Sequence, residues 1–379
     1  MTYIKVGLIG YKFMGKAHTQ AYKNTNFYFE PQDPFQLKAI CGRNEESVKA
    51  AAHTYGWESS ETDWRSVVER DDIDLIDIVT PSNTHKDIAI AAAKAGKHVL
   101  TEKPMALNVS DAKEMLKAVT DAGVQHMVSF NYRRVPAIAL AKRMIAEARI
   151  GNIYHMRAHY LQDWLADPQS PFAWRLDKNV AGSGAHGDLN AHIVDLARYL
   201  VGEFAEVIGM SETFVKERPV DNGKEGKRDV TVDDTTLFLA RFDNGAVGNI
   251  EATRYATGRK NKNYIEINGS RGSIVFDFER MNELQFFSNE DEEHVQGYRT
   301  ILVTEPDAHD YMKAWWPPGH LIGYEHAFTH QANDLADAIT RQKPVYPNFE
   351  DGLRCQQVLE AVENSVKTRT WEMVEKSNG

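Results

Sequence analysis

Apolar and polar positions along this chain keep two different rhythms. From the N-terminus to about residue 129, short apolar runs alternate with longer stretches in which apolar residues recur at the helical spacing. The runs at 4–9, 37–41, 75–79, 98–100 and 125–129 have strand length, and the segments 14–23, 45–55, 84–95 and 110–122 carry the helical period. Asn108 and Ser110 are capping candidates for the last helix, and Gly123 is its stop. Strands alternating with helices predict a doubly wound parallel sheet covered on both faces.

Beyond residue 129 the rhythm changes. A helical segment at 137–148 stops at Gly151, a long strand follows at 153–164, and a glycine-rich stretch at 181–187 leads into a helix at 188–200. Strand-length segments then succeed one another at 206–216, 235–242, 246–255, 264–268, 273–278, 283–287 and 300–303. Asp243-Asn244-Gly245 and Gly269-Ser270-Arg271-Gly272 read as hairpin turns, where glycine supplies a positive φ. The charged stretches 217–229 and 289–293 are expected at the surface, and helices return at 325–340 and 351–368. The expectation is an α/β domain over 1–129 and an α+β domain with a large, open, mostly antiparallel sheet over 130–379.

A chain of 379 residues suits two domains. With 44 basic against 54 acidic side chains the net charge is −10, which disfavours a nucleic acid or an anionic membrane as partner and leaves a small molecule. Cys41 and Cys355 stand far apart without cysteine or histidine neighbours, so a disulfide framework and a cysteine zinc site are both unexpected. The first residues run straight into a strand without a signal-peptide pattern, and no apolar stretch nears the ~20 residues of a membrane helix. A cytoplasmic location is the expectation.

Gly7-Leu8-Ile9-Gly10-Tyr11-Lys12-Phe13-Met14-Gly15 sits between the first strand and the first helix, where a dinucleotide-binding Rossmann domain places its phosphate loop. Gly10 and Gly15 match the glycine fingerprint, while Lys12 replaces the middle glycine and brings an ammonium to the phosphates. The second strand is followed by Gly42-Arg43-Asn44, with no acid to take a ribose 2′-hydroxyl. NAD(P) is therefore the expected cofactor, and Arg43 leans the choice toward NADP.

Further motifs follow in order: Thr80-Pro81-Ser82-Asn83-Thr84-His85, Ala95-Gly96-Lys97-His98-Val99, Glu102-Lys103-Pro104, and Gly187-Asp188-Leu189-Asn190-Ala191-His192-Ile193-Val194-Asp195-Leu196. Together, over nearly the whole chain, they resemble the Gfo/Idh/MocA family of NAD(P)-dependent oxidoreductases. Asn131-Tyr132-Arg133-Arg134, Trp174-Arg175 and Trp315-Trp316-Pro317-Pro318-Gly319-His320 are similar to its inositol, levoglucosan and glycoside dehydrogenases. The resemblance implies a Rossmann domain joined to an open-sheet domain, a homodimer or homotetramer formed through that sheet, and oxidation of a ring secondary alcohol by hydride transfer to nicotinamide. Cofactor contacts are expected at Gly10, Lys12, Phe13, Met14, Arg43, Thr80, Pro81, Asn83, His85, Glu102, Lys103 and Asn131, with Trp174 and Arg175 on the nicotinamide side.

Such a reaction needs a group that takes the hydroxyl proton as hydride leaves carbon, and a histidine has a pKa near ambient pH. His192 is the expected general base. Asp188, four residues earlier, shares its helix face and would orient a substrate hydroxyl, while Leu189, Ile193 and Leu196 take the packing side. Lys103, after a strand of the first domain, would stabilise alkoxide character, and Lys103-Pro104 is a candidate cis peptide. Trp164, Trp174, Trp315 and Trp316 suit the C–H faces of a sugar or cyclitol, with Tyr132, Arg133, Asp163, His186 and His320 as hydroxyl readers. His186 departs from the apolar residue that relatives tend to carry. Two rival readings use the same residues: a metal-dependent lyase or hydrolase on His186, Asp188, His192 and Asp195, and a non-catalytic sugar or dinucleotide sensor. The first leaves the dinucleotide features unexplained, so no metal is expected, and the second would be expected to lose Lys103 or His192.

Overall fold

In a computed structural model, which describes residues 2–220 and 226–376, the N-terminal alternation becomes a six-stranded, wholly parallel sheet. Its elements in chain order are β1 (Ile4–Ile9), α1 (Phe13–Asn24), β2 (Phe35–Cys41), α2 (Glu45–Tyr55), β3 (Ser59–Glu61), α3 (Trp64–Val68), β4 (Leu75–Ile78), α4 (His85–Lys94), β5 (His98–Thr101), α5 (Val109–Ala122) and β6 (His126–Val128). The strand order β3-β2-β1-β4-β5-β6 reverses direction between β1 and β4, and ligands of such sheets bind outside the carboxyl ends at that reversal. All four residues of β4 are buried, as a strand covered on both faces requires. The Asn108 side chain accepts the Asp111 N–H at 2.8 Å, and Gly123 closes α5 at φ +66°. β3 and α3 were not expected, because segments of three and five residues are too short to show a period.

The second half contributes α6 (Pro136–Ala146), β7 (Ile153–Leu161), α7 (Lys178–Ala181), α8 (Ala191–Leu200), β8 (Phe204–Glu212), β9 (Glu217–Pro219), β10 (Lys227–Asp229), β11 (Thr235–Phe242), β12 (Val247–Thr253), β13 (Lys262–Gly269), β14 (Gly272–Asp277), β15 (Glu283–Ser288) and β16 (Arg299–Leu302). After the helices α9 (Tyr324–Arg341) and α10 (Phe349–Thr368), the short β17 (Glu372–Met373) joins the same sheet. Its nine strands run β16-β15-β14-β13-β7-β12-β11-β8-β17, with every pairing antiparallel except β7 with β12. β15 alternates buried with half-buried positions, the pattern of a sheet packed on one face.

Several expectations are corrected. β7 ends at Leu161 because its partner β12 gives out at the opposing Thr253, so Trp164 stands on the following loop. Gly245 has the positive φ expected of its hairpin, but Gly269 and Gly272 do not; a Cβ there would lie 2.2 Å from the Ile150 carbonyl oxygen and 2.3 Å from that of Phe287, so close approach excludes a side chain. The stretch 217–229 is not simply surface: Arg218 is fully buried and donates to the carbonyls of Leu165, Asp167 and Ser170, while positions 221–225 lie outside the described residues.

By its contacts the chain forms two units, residues 1–134 with 323–353, and residues 135–322 with 354–379. The expected boundary at 129 puts all later residues in the second domain. Phe328, Ala332, Leu335 and Ala336 of α9 instead join Leu8, Leu100 and Met127 in the core of the first unit. Among the described residues, no helix is long and apolar enough to cross a membrane.

Candidate active site

The first unit carries the glycine turn where the sequence places a phosphate loop. Gly10 adopts φ +117°, and a Cβ added there would lie 2.9 Å from the Val79 carbonyl oxygen. A Cβ at Gly15 would lie 2.5 Å from the carbonyl oxygen of Gly10, so α1 starts flush against the loop. Exposed Lys12 is the N-cap of α1, yet no side chain caps the helix and no acid occupies its first turn. Its leading N–H groups and positive dipole end are thus presented to an anion. Phe13 stands exposed and stacks on Tyr324 at 6.4 Å, whereas Met14 packs into the core.

At the end of β2, Arg43 is exposed, and Asn44 commits its side chain to capping α2 through the Ser47 N–H. The register of β2 with β3 brings Glu61 opposite Cys41. Burial, with the charges of Asp63 and Glu61, pushes the Cys41 thiol up to about 12, so carboxylates on the neighbouring strand and just after it do stand near this strand end. No window of sequence around Arg43 contains them.

Thr80, Pro81 and exposed Asn83 follow β4, with the Thr80 and Thr84 hydroxyls 2.6 Å apart. His85 is 1% exposed; its ring nitrogens lie 2.9 Å from the Thr80 carbonyl and 3.2 Å from that of Pro104. The buried ring thus links the loop after β4 to the loop after β5, where the Lys103-Pro104 bond is cis. Asn131 is 2% exposed and its Nδ2 has no acceptor among the described residues, an omission that costs about 1–3 kcal/mol unless a ligand or water supplies one. The uncapped helix, the two glycines and this amide fit a dinucleotide.

Beneath the loop lies a charged cluster that the sequence reading missed. His18 of α1 places Nδ1 2.8 Å from Asp77 Oδ2 and Nε2 3.1 Å from Glu102 Oε1. Tyr22 donates to Asp77 at 2.7 Å, and the Lys103 N–H donates to Glu102 at 3.1 Å. Burial opposes the charge on His18, but the two carboxylates prevail and hold its pKa up at about 10. Burial likewise opposes the charge on Glu102, and the hydrogen bond from His18 nevertheless keeps its pKa below the usual range. Glu102, expected at the cofactor, is thus only 6% exposed and anchors Lys103 from behind.

In the second unit the expected helix starts earlier and differently. Residues His186–Asn190 form a π-helical turn before α8, and such turns recur at functional sites. Asp233 secures the turn, accepting the N–H groups of Gly184 at 2.6 Å and His186 at 2.8 Å. A Cβ on Gly184 would lie 1.7 Å from the Asp233 carbonyl oxygen, so no other residue fits. Asp188, a quarter exposed, pairs through Oδ2 with Nη2 of Arg254 at 3.0 Å. His192 is 7% exposed, its ring 5.9 Å from that of Tyr160.

His186 turns inward instead of toward a substrate: it is 1% exposed, lies 3.0 Å from the Leu359 carbonyl through Nε2 and takes the Asn190 amide on Nδ1 at 3.2 Å. With His186 held at the Leu359 carbonyl and Asp188 at Arg254, the four-residue metal reading has no assembled ligand set, and among the described residues no group of three or more His, Cys, Asp or Glu side chains is arranged to hold a metal ion. Two further substrate candidates are also tied to protein partners. Arg133 pairs with Asp351 at 3.1 Å, and Asp163 accepts from Lys260 at 2.7 Å. Tyr132 is buried, exposed His320 has Nδ1 2.9 Å from the Pro317 carbonyl, and Arg175 stacks over Trp174 at 4.5 Å.

Known proteins match along the whole chain. Residues 4–130 match the model of an oxidoreductase family with an NAD-binding Rossmann fold, and residues 138–275 that of the GFO/IDH/MocA C-terminal domain. The levoglucosan dehydrogenase of Pseudarthrobacter phenanthrenivorans is 45% identical over 98% of both chains. An oxidoreductase domain protein from Kribbella flavida superposes with a TM-score of 0.97 at 52% identity, covering 99% of this chain and 100% of that one. A levoglucosan dehydrogenase in complex with NADH and levoglucosan does so with a TM-score of 0.95 at 44% identity, again covering 99% and 100%. A phosphate turn of this form and these matches over both units lead to one conclusion: the chain belongs to the Gfo/Idh/MocA family of NAD-binding oxidoreductases.

Proposed function

We propose that this enzyme oxidises a ring secondary hydroxyl of a hexose derivative, an anhydrosugar first among them, or of a cyclitol. The carrying observation is the pair Asp188 and His192, set at the start of one helix with the carboxylate already held by a buried cation. The similar levoglucosan dehydrogenase, which acts on an anhydrosugar, supports the substrate class. The bound nicotinamide supplies the hydride acceptor. His192 takes the hydroxyl proton, Asp188 accepts a hydrogen bond from that hydroxyl or its neighbour, and Lys103 supplies a positive charge as the oxygen becomes alkoxide-like. Lys12 and the start of α1 hold the pyrophosphate, and Thr80 and Asn131 contact the rest of the cofactor. Purified protein mixed with NAD or NADP and a panel of anhydrosugars, glycosides and cyclitols should generate reduced cofactor. Absence of turnover throughout the panel would favour a non-catalytic sensor.

For the cofactor, the sequence lean toward NADP meets a counterweight in Glu61. A carboxylate beside the end of β2 can accept the ribose 2′-hydroxyl and repels a 2′-phosphate. We therefore expect kcat/KM to be higher with NAD, and Arg43→Asp to raise the NAD preference by roughly tenfold. Faster turnover with NADP in the wild-type protein would defeat this reading.

The outer face of the nine-stranded sheet supports self-association. By register Met210, Leu239, Val247 and Met373 share that face, and each is at least 40% exposed. Apolar residues gathered on an open sheet mark an interface. A homodimer or homotetramer is expected by light scattering, and Leu239→Glu should reduce the assembly; an unchanged mass would place the interface elsewhere.

A further inference from the structure

The face of the nine-stranded sheet that holds Tyr160 also carries a buried cation. Ala252 lies opposite Tyr160 in the pairing of β12 with β7, and Arg254 continues the same alternation just past the end of β12. The Arg254 backbone N–H donates to the Asp234 carbonyl at 3.1 Å, and its side chain is 1% exposed. Its guanidinium lies 5.3 Å from the centre of the Trp164 ring and donates through Nη2 to Asp188. Nε and Nη1 find no acceptor among the described residues.

A guanidinium stays protonated in proteins, so the site keeps a fixed positive charge at any working pH. A carboxylate in contact with it is favoured in its ionised form, and an ionised carboxylate only accepts hydrogen bonds. Whatever Asp188 meets in a substrate must then be a donor. A hydroxyl satisfies it, whereas a keto or ether oxygen at that position leaves the carboxylate facing another acceptor. Two buried guanidinium nitrogens without an acceptor are a cost that a pair serving stability alone would avoid.

We propose that Arg254 is a positioning residue that sets substrate specificity: it holds Asp188 as an oriented, acceptor-only carboxylate and so makes the enzyme require a hydroxyl donor on a carbon beside the reacting one. The inference rests on the reading of this chain as a dehydrogenase of cyclic polyols. Discrimination against analogues lacking such a hydroxyl belongs to a site whose polar group would otherwise be left unpaired.

The test compares wild-type protein, Arg254→Met and Arg254→Lys on a polyol that the wild type oxidises and on its monodeoxy analogues that keep the reacting hydroxyl. Wild type should reject at least one analogue strongly. Arg254→Met should lose roughly 100-fold in kcat/KM on the parent polyol but only a few-fold on that analogue, so that the discrimination collapses. Arg254→Lys, which restores the charge without the fork, should recover part of it, and NADH affinity should stay unchanged in both. An equal fractional loss on parent and analogue would show a merely structural residue and overturn the proposal, as would unaltered discrimination. Should Arg254→Met fail to fold, Arg254→Lys carries the same comparison, since full wild-type discrimination in it would show that the planar guanidinium is not required to orient Asp188. If the wild type oxidises no member of the panel, the dehydrogenase reading itself fails and takes this inference with it; activity in the wild type with unchanged ratios in the variants sinks the inference alone.

Discussion

Replacing His192 with alanine is expected to lower kcat by roughly 10²- to 10⁴-fold, the usual share of a positioned general base. NADH affinity should stay at the wild-type value, because the phosphate turn, Lys12 and Asn131 all belong to the first unit and His192 to the second. Stopped-flow turnover together with fluorescence titration of NADH separates the two quantities. A variant with wild-type kcat would remove His192 from the chemistry, and a parallel loss of cofactor binding would point to damage beyond proton transfer. Asp188 demands more care as a target than His192. Its removal leaves Arg254 as a buried cation without its carboxylate, a change of the kind that costs about 3–5 kcal/mol, so lost activity in Asp188→Ala mixes chemistry with folding.

The second large effect concerns stability. His18→Ala removes the cation between Asp77, 0% exposed, and Glu102, 6% exposed, and leaves two buried carboxylates without it. The expected loss is about 3–5 kcal/mol in denaturant unfolding at neutral pH. The same group fixes a pH dependence. Its folded pKa of about 10 lies above the ordinary 6.5, so its contribution is complete below about pH 6.5 and disappears as pH climbs toward 10. The stability gap between wild type and His18→Ala should therefore narrow on the alkaline side. A gap that widens from pH 6.5 upward would mean that His18 is neutral in the folded protein.

Much of the fold was legible because local signals agreed with the global arrangement. The helix at 45–55 and the strand at 235–242 were read to the residue: Asn44 caps the one and Gly56 ends it, and the other alternates along most of its length. The phosphate turn was legible for a similar reason, since its glycines answer steric demands within a few residues of each other. What stayed hidden depends on partners distant in sequence. His18 meets Asp77 across 59 positions and Glu102 across 84, and the one available signal was a carboxylate, Asp77, in the middle of the apolar run 75–79. Arg254 offered a comparable sign, a charge in phase with the buried Ile250 and Ala252. His186 was misjudged because a histidine beside Asp188 suggests chemistry, whereas the π-helical turn sends its ring toward the Leu359 carbonyl. Glu61 reached the end of β2 through a strand of three residues that no periodicity could reveal.

The placement of α9 bears on how the chain is made. Phe328, Ala332, Leu335 and Ala336 complete the apolar core beneath the parallel sheet, yet they are synthesised only after all of residues 135–322. Domains commonly fold in order as they leave the ribosome, but here the N-terminal unit emerges first and is finished late. During synthesis of the intervening strands it carries an uncovered apolar face on the side that α9 will occupy. A chain ending before residue 323 would keep its glycine turn while losing the helix that closes that core.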